Sequence, residues 1–324
     1  MLYLVISSIF IFSILLIVVI RTILFESKQI KVKQVKQRKF PKKVAQHLSQ
    51  AIQFQTVSHL RNKKSTGIVD RNSFLGFHAF LAISFPLVQK VLKKEIIEEF
   101  GLLYTWEGSN KELAPVILMS HQDVVPVEEK TEENWTYPPF SGKIKDGFIW
   151  GRGALDVKCS LIATLEAVEW LLENNFKPQR KIYLAYGHDE EIKGEKGARQ
   201  IANLLESRKE KIEYIIDEGG NIVKDMLPGV KKPVALVGSS EKGYLTFELQ
   251  VRSGGGHSSM PSDKNPAAII AKAISNIEKK PFKSRLGGAT KHMLLTTGPE
   301  MSLPLKAITA NLWLFKWLRS EEHT

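Results

Sequence analysis

His121 stands two residues before Asp123 in "MSHQDVVPV", directly after the apolar run "APVILM". An imidazole and a carboxylate at that spacing can bind a divalent cation or handle a proton. Alone, His121 reads as a satisfied interior histidine. Three further acidic stretches change the weighing. "HDEE", with Glu190 and Glu191, follows the apolar run "KIYLAYG"; "IEYIID" ends on Asp217; and "WGRGALDVK" brings Asp156 to the start of a helical pattern. Singly, the acidic run is a solvated loop, Asp156 an N-cap worth about 1 kcal/mol, and Asp217 a turn residue before two glycines. Their common position argues for a site, because ligands of open α/β sheets gather at the carboxyl ends of strands. Asp123, Asp156, Glu190, Glu191 and Asp217 on one rim would repel each other and resist ionisation. A pair of divalent cations removes that penalty. One imidazole with several carboxylates suits two Zn2+, with Co2+ or Mn2+ as alternatives.

The elements that must position these groups can be read from periodicity. Val44, Leu48 and Ile52 keep helical spacing, and residues 73–99 also read as helical. The runs at 114–120, 181–187 and 212–217 are short, apolar and bounded by polar or glycine residues, as buried parallel strands are. Between the first two, Leu161, Leu165, Val168 and Leu172 mark a helix starting near Asp156. This alternation predicts an α/β fold with an open, mostly parallel sheet and helices on both faces. The pattern then changes. Residues 244–252 alternate strictly, as a strand with one wet face does, and Ile270, Ile274 and Ile277 stripe a later helix. A boundary near residues 241–243 is expected, followed by an α+β unit.

The ends and the charge add constraints. Residues 2–20 are uncharged and mostly apolar, and as a helix they would span roughly 28 Å, close to the ~30 Å of a bilayer core. No small-residue cleavage site follows, so an uncleaved signal anchor is expected over residues 1–24. Residues 28–43 are rich in Lys and Arg and hold no acid, which reads as a basic linker over 25–43. Much of the net charge of +12 is therefore local, and nucleic acid is not an expected partner. A single cysteine, Cys159, excludes an internal disulfide framework. The catalytic, metal-binding part is placed at 44–243, with a further domain from 244 to 324.

The ordered motifs "SHQDVVPV", "PPFSGKIKDGFIWGRGALDVK", "GHDEE", "IIDEGG", "EKGYLTFELQV" and "GHSSMP" resemble the M20 family of metallopeptidases. The likeness is strongest to its branch of carboxypeptidase S and the N-fatty-acyl-amino acid synthase/hydrolases. The resemblance implies a two-zinc amidohydrolase with a zinc-peptidase catalytic domain and an inserted α+β lid and dimerisation domain. Asp156 would bridge both ions, His121 and Asp217 would complete one site, and Glu191 would bind the other. Glu190 would be the general base, and Asp123 would hold the His121 ring through its other nitrogen. His257, in the lid, would stabilise the developing oxyanion, often across a homodimer. N-acyl amino acids or small peptides are the implied substrates.

The sequence departs from the family in one respect. The family pattern carries a later histidine that ligates the second zinc, whereas this chain stops at Thr324, within the expected lid, and neither His292 nor His323 has that context. A truncated form is the expectation. The competing reading is a membrane-tethered, non-catalytic protein that keeps the fold. The family's relatives place the catalytic part in a secretory or vacuolar lumen or outside the cell. The sequon Asn134-Trp135-Thr136 agrees with that placement, and the basic flank after the apolar segment opposes it.

Overall fold

The computed structural model describes residues 1–30, 33, 41–62, 65–68, 70–239, 243, 245–252, 265–280 and 288–315. The chain divides into two units, one of Met1–Gln34 with Gly219–Thr324 and the other of Val35–Glu218. The first begins with helix α1 (Leu2–Ile23), whose apolar window has a mean hydropathy of 2.9 and is nowhere buried. By length and composition this helix can cross a membrane.

The Val35–Glu218 unit runs α2 (Lys42–Gln53), β1 (Ser58–Asn62), β2 (Ser65–Ile68), α3 (Arg71–Ser84), α4 (Pro86–Val91), β3 (Lys93–Ile97), β4 (Gly101–Trp106) and β5 (Val116–His121). It continues with a small hairpin of β6 (Lys143–Lys145) and β7 (Phe148–Trp150), then α5 (Lys158–Glu173), β8 (Ile182–Gly187), α6 (Ala198–Ser207) and β9 (Tyr214–Ile216). Five strands form one sheet in the order β3-β4-β8-β5-β9. β5 pairs in parallel with β8 and with β9, whereas β3–β4 and β4–β8 are antiparallel.

The two faces follow from the alternation of side chains along a strand. Leu184 and Tyr186 of β8 join Leu102, Tyr104 and Trp106 of β4 in a core covered by α3, α4 and α5. Tyr183 and Ala185 point the other way and pack with Leu103, Ile117, Ile201 and Leu205 under α6. The crossover from β5 to β8 steps one way across the sheet, and that from β8 to β9 steps back past β5. Right-handed crossovers must then lie on opposite faces, as α5 and α6 do. The loops leaving β5 and β8 diverge, which opens a crevice where His121 stands opposite Gly187.

The open α/β sheet expected from the sequence is present, but it is mixed and not mostly parallel, with two parallel and two antiparallel pairings. The three runs read as buried parallel strands do pair in parallel, but only β5 and β8 are largely buried; Tyr214, Ile215 and Ile216 of β9 are exposed, because among the described strands β9 has a neighbour, β5, on one side alone. Two further expectations are corrected. The helical reading of residues 73–99 holds to Val91, after which Lys93–Ile97 is a half-exposed edge strand paired with β4. Its turn uses Glu98 at φ +54°, which ends any helix there. Among the described residues 245–252 there is no strand, although their alternation predicts one. An alternating strand needs a partner for its backbone groups, and no described strand pairs with them.

The rest of the first unit holds β10 (Ile222–Val223) paired with β11 (Val234–Ala235), then α7 (Pro266–Lys279), α8 (Gly288–Thr297) and α9 (Leu303–Ala310). Arg21 of α1 donates to the carbonyl of Ala310 at 3.1 and 3.3 Å, and Asn311 donates to Val18 O of α1 at 3.3 Å.

Leu184 is fully buried between sheet and helices. Leu184→Ala is expected to lower the stability of the Val35–Glu218 unit by about 3 kcal/mol, read as an earlier midpoint in chemical denaturation of the whole chain. An unchanged midpoint would contradict the described core.

Candidate metal centre

The site is built at the mouth of the crevice between β5 and β8. Asp123, two residues beyond β5, is completely buried. Its Oδ2 accepts from Ser58 Oγ at 2.5 Å and from the Glu191 backbone N–H at 3.1 Å, while its Oδ1 accepts from the Glu190 N–H at 3.1 Å. Burial favours the neutral acid, but the hydrogen bonds of His121 and Ser58, the His121 charge and the Glu190 N–H outweigh it and hold Asp123 below the ordinary carboxylate range. The bonds to Asp123 also tie the turn after β8 to the end of β5.

Gln122 secures the intervening residue. Its amide donates to Phe100 O at 2.7 Å and to Tyr186 O at 2.9 Å, and its Oε1 lies 2.7 Å from His78 Nε2. Thr56 donates to the Gln122 carbonyl at 2.6 Å. His121 itself is 3% exposed. Its Nδ1 lies 2.9 Å from the backbone carbonyl of Asp123 and 3.3 Å from its Oδ1. In the neutral ring that a metal requires, a proton on Nδ1 satisfies the carbonyl and leaves the Nε2 lone pair facing outward.

Around Nε2 stand Asp156 at 3.1 Å, Glu218 at 3.5 Å and Glu190 at 3.8 Å. Asp156 arrives on the "GRGALD" loop. Gly153 there has φ +82°, and a Cβ on it would lie 2.7 Å from Val124 Cγ1, so this turn requires glycine. Lys158, at the first turn of α5 and fully buried, donates to Ala51 O at 3.0 Å and Phe54 O at 2.6 Å. Its ammonium therefore fastens α5 to the end of α2 and is not spent on the acidic rim. Burial pushes it down to about 7, against the pull of Asp123.

The electrostatics record the crowding. Burial raises Glu190, Glu191 and Glu218, and neighbouring carboxylates add to it, pushing Glu191 up to about 7. Burial favours a neutral His121, but the hydrogen bond and charge of Asp123 with the charges of Glu218 and Glu190 outweigh it and push the ring up to about 10. One imidazolium thus supplies the positive charge that the rim lacks.

Two groups of donors lie within 4.8 Å of one another: His121 with Glu190 and Glu191, and His121 with Asp156 and Glu218. An imidazole with several oxygens suits a divalent cation of the zinc type, and cations would relieve the crowding that the raised carboxyls show. Of the residues singled out from sequence, His121, Asp123, Asp156, Glu190 and Glu191 are brought together here. Asp217 lines the same cavity of about 280 Å³ but belongs to neither donor group. His257 lies outside the described residues.

The residue that sequence reasoning missed is Glu218. It adjoins Asp217 in "IIDEGG", and consecutive residues of an extended chain point to opposite sides. The β5–β9 pairing ends at Leu118 opposite Ile216, so no ladder fixes which of the two acids turns inward. Ser58, Gln122 and Lys158 were missed because their roles depend on partners distant in the chain.

Residues 117–303 match the peptidase family M20/M25/M40. The chain belongs to this family. It is 41% identical over 313 residues to a probable carboxypeptidase S-like 2 of Dictyostelium discoideum, covering 94% of this chain and 59% of that protein. It is 38% identical to the N-fatty-acyl-amino acid synthase/hydrolase PM20D1 of Mus musculus, over 84% of this chain and 53% of that one. With carboxypeptidase S of Saccharomyces cerevisiae it shares 42% identity over 72% of this chain and 41% of that protein. The M20 chain therefore spans roughly half the length of these relatives.

The charge distribution of the M20 site sets a pH dependence for the metal-free protein. Folded Glu191 keeps its proton to about 7, above the ordinary glutamate value of 4.5, so stability falls as pH rises between these values. Folded His121 titrates near 10 instead of 6.5, so its contribution is complete below 6.5 and lost as pH climbs through about 10. Burial holds His78, His188 and Lys158 below their ordinary values, and these act the opposite way. The expectation is therefore a difference between proteins: from about pH 5 to about pH 7 the melting temperature of the chelator-treated protein is expected to fall relative to that of chelator-treated Glu191→Gln. A difference that stays constant over this window would contradict the arrangement.

Proposed function

We propose that this M20 chain supplies the metal-binding half of a zinc-dependent amidohydrolase or carboxypeptidase acting on N-acyl amino acids or small peptides. The observation that carries the proposal is the convergence of Asp156, Glu190 and Glu218 around the His121 Nε2, with Glu191 beside them and buried Asp123 holding His121 and the backbone of Glu190 and Glu191. Asp156, His121, Asp217 and Glu191 would hold the two Zn2+. Glu218, on the turn of Asp217, is a further donor within reach. Bound cations would supply the Lewis acidity that activates water and polarises the amide carbonyl.

The protein's own groups do the rest. Glu190 is half-exposed at the cavity, and its carboxylate is made more basic by burial and by its acidic neighbours. It would take the proton of the attacking water and pass it to the leaving amine nitrogen. Asp123 would fix the tautomer of His121 and the spacing of the two glutamates. His257 would contribute to the oxyanion from a lid formed by residues 244–324, with 44–243 as the catalytic domain and a homodimer completing the arrangement.

The apolar helix α1 would anchor the protein in a membrane, with the catalytic part in a secretory or vacuolar lumen or outside the cell. Similarity to the N-fatty-acyl-amino acid synthase/hydrolases supports an acyl-amino acid substrate, and their name includes the reverse condensation.

The test is metal analysis together with hydrolysis of a series of N-acyl amino acids and dipeptides. Two zinc ions per chain and turnover abolished by a chelator are expected. Glu190→Gln is expected to lower kcat by about 100-fold or more while metal content stays unchanged. Asp123→Asn is expected to weaken zinc affinity by about 10- to 100-fold, measured by chelator competition. Full activity in Glu190→Gln, or in metal-free protein, would end this reading.

A further inference from the structure

A second cavity, of about 310 Å³, lies away from the acidic rim and is lined by Asn134, Trp135, Thr136, Tyr137 and Trp150 among others. Its walls are aromatic and fixed. Tyr137 packs edge-on against Trp150 with centroids 5.4 Å apart, and Phe148 does so at 5.9 Å. The Arg152 guanidinium covers Trp135 at 5.3 Å, and the Lys145 ammonium sits 5.8 Å from the Tyr137 ring. Polar groups sit at its edge: Asn134 and Thr136 are both exposed.

Asn134, Trp135 and Thr136 make the only Asn-x-Ser/Thr triplet of the sequence. Asn134 closes a short 3-10 turn whose backbone N–H is satisfied by Thr131 O at 2.9 Å. Its side-chain amide makes no hydrogen bond to a described residue, so folding places no demand on it. The acceptor amide is therefore free, solvent-facing and at the lip of an aromatic pocket. Sugar rings present one face of C–H groups, which packs against aromatic rings as other apolar surface does, while their hydroxyls and acetamido group use the polar rim.

We propose that Asn134 is an N-glycosylation site and that the first N-acetylglucosamine of its glycan rests in the pocket of Trp135, Tyr137 and Trp150. The donor class is a polyisoprenyl pyrophosphate-linked oligosaccharide. The Asn134 amide nitrogen bonds to the anomeric carbon of the sugar and loses one proton. The anomeric C–O bond to the pyrophosphate breaks, and lipid pyrophosphate leaves. No oxidant or reductant is needed. The proposal rests on the lumenal placement offered above and is independent of metal chemistry, so loss of hydrolase activity would not touch it.

The test expresses the full chain in eukaryotic cells with a secretory pathway. A single-glycan mobility shift removable by glycosidase is expected, lost in Asn134→Gln and retained in Thr136→Ser. No shift in membrane-integrated protein, or a shift that persists in Asn134→Gln, overturns the site. The packing has its own readout. Trimming the glycan to one N-acetylglucosamine is expected to leave tryptophan emission unchanged, while complete removal shifts it. That shift is expected to disappear when Trp135 and Trp150 are both changed to Phe. Emission unaffected by complete removal overturns the seat in the pocket and leaves the modification standing.

Discussion

The arrangement depends on one buried carboxylate. Asp123 is fully inside the protein, where an unpaired charge is costly. It is tolerated because Ser58 and the backbone N–H groups of Glu190 and Glu191 donate to it and the His121 ring faces it. The donors come from three segments: the strand after α2, the turn after β8 and the end of β5. The same bonds that satisfy Asp123 therefore fix the distance between the imidazole and the paired glutamates. Remove the charge and three segments lose their common point.

The acidic rim that results is not balanced from within. Lys158 lies directly after the "GRGALD" loop, yet its ammonium is spent on the carbonyls of Ala51 and Phe54. The positive charge facing Asp156, Glu190 and Glu218 is that of His121. Such a rim is a site that wants a cation, and its carboxyls show it by holding protons beyond their usual range. The sheet topology puts this rim where two crossovers diverge, so the crevice is a property of strand order. The groups that fill it are a property of the loops.

Much of the catalytic-type unit was legible in the sequence. Buried parallel strands must be apolar on both faces, and β5 and β8 announce themselves as short uniform runs; β9 carries the same apolar pattern although its residues are exposed. Helix α5 keeps its spacing because one face alone meets the sheet. The edge strand β3 was lost because "KKEII" carries charge and half its side chains face water, which a helix surface also allows. The alternating run at 245–252 shows the opposite failure: the pattern is compatible with a strand, but among the described residues no strand pairs with it.

The sequence by itself determined the chemical inventory, an imidazole and several carboxylates each placed at the end of an apolar run, because side-chain type and local periodicity are written residue by residue. Only the tertiary structure decided which of two adjacent acids, Asp217 or Glu218, reaches the imidazole, and that Ser58, Gln122 and Lys158 hold the frame. Those outcomes depend on strand register and on hydrogen bonds between segments far apart in the chain. No local pattern encodes such a distance, because it exists only once the backbone has folded and every buried polar group has found its partner.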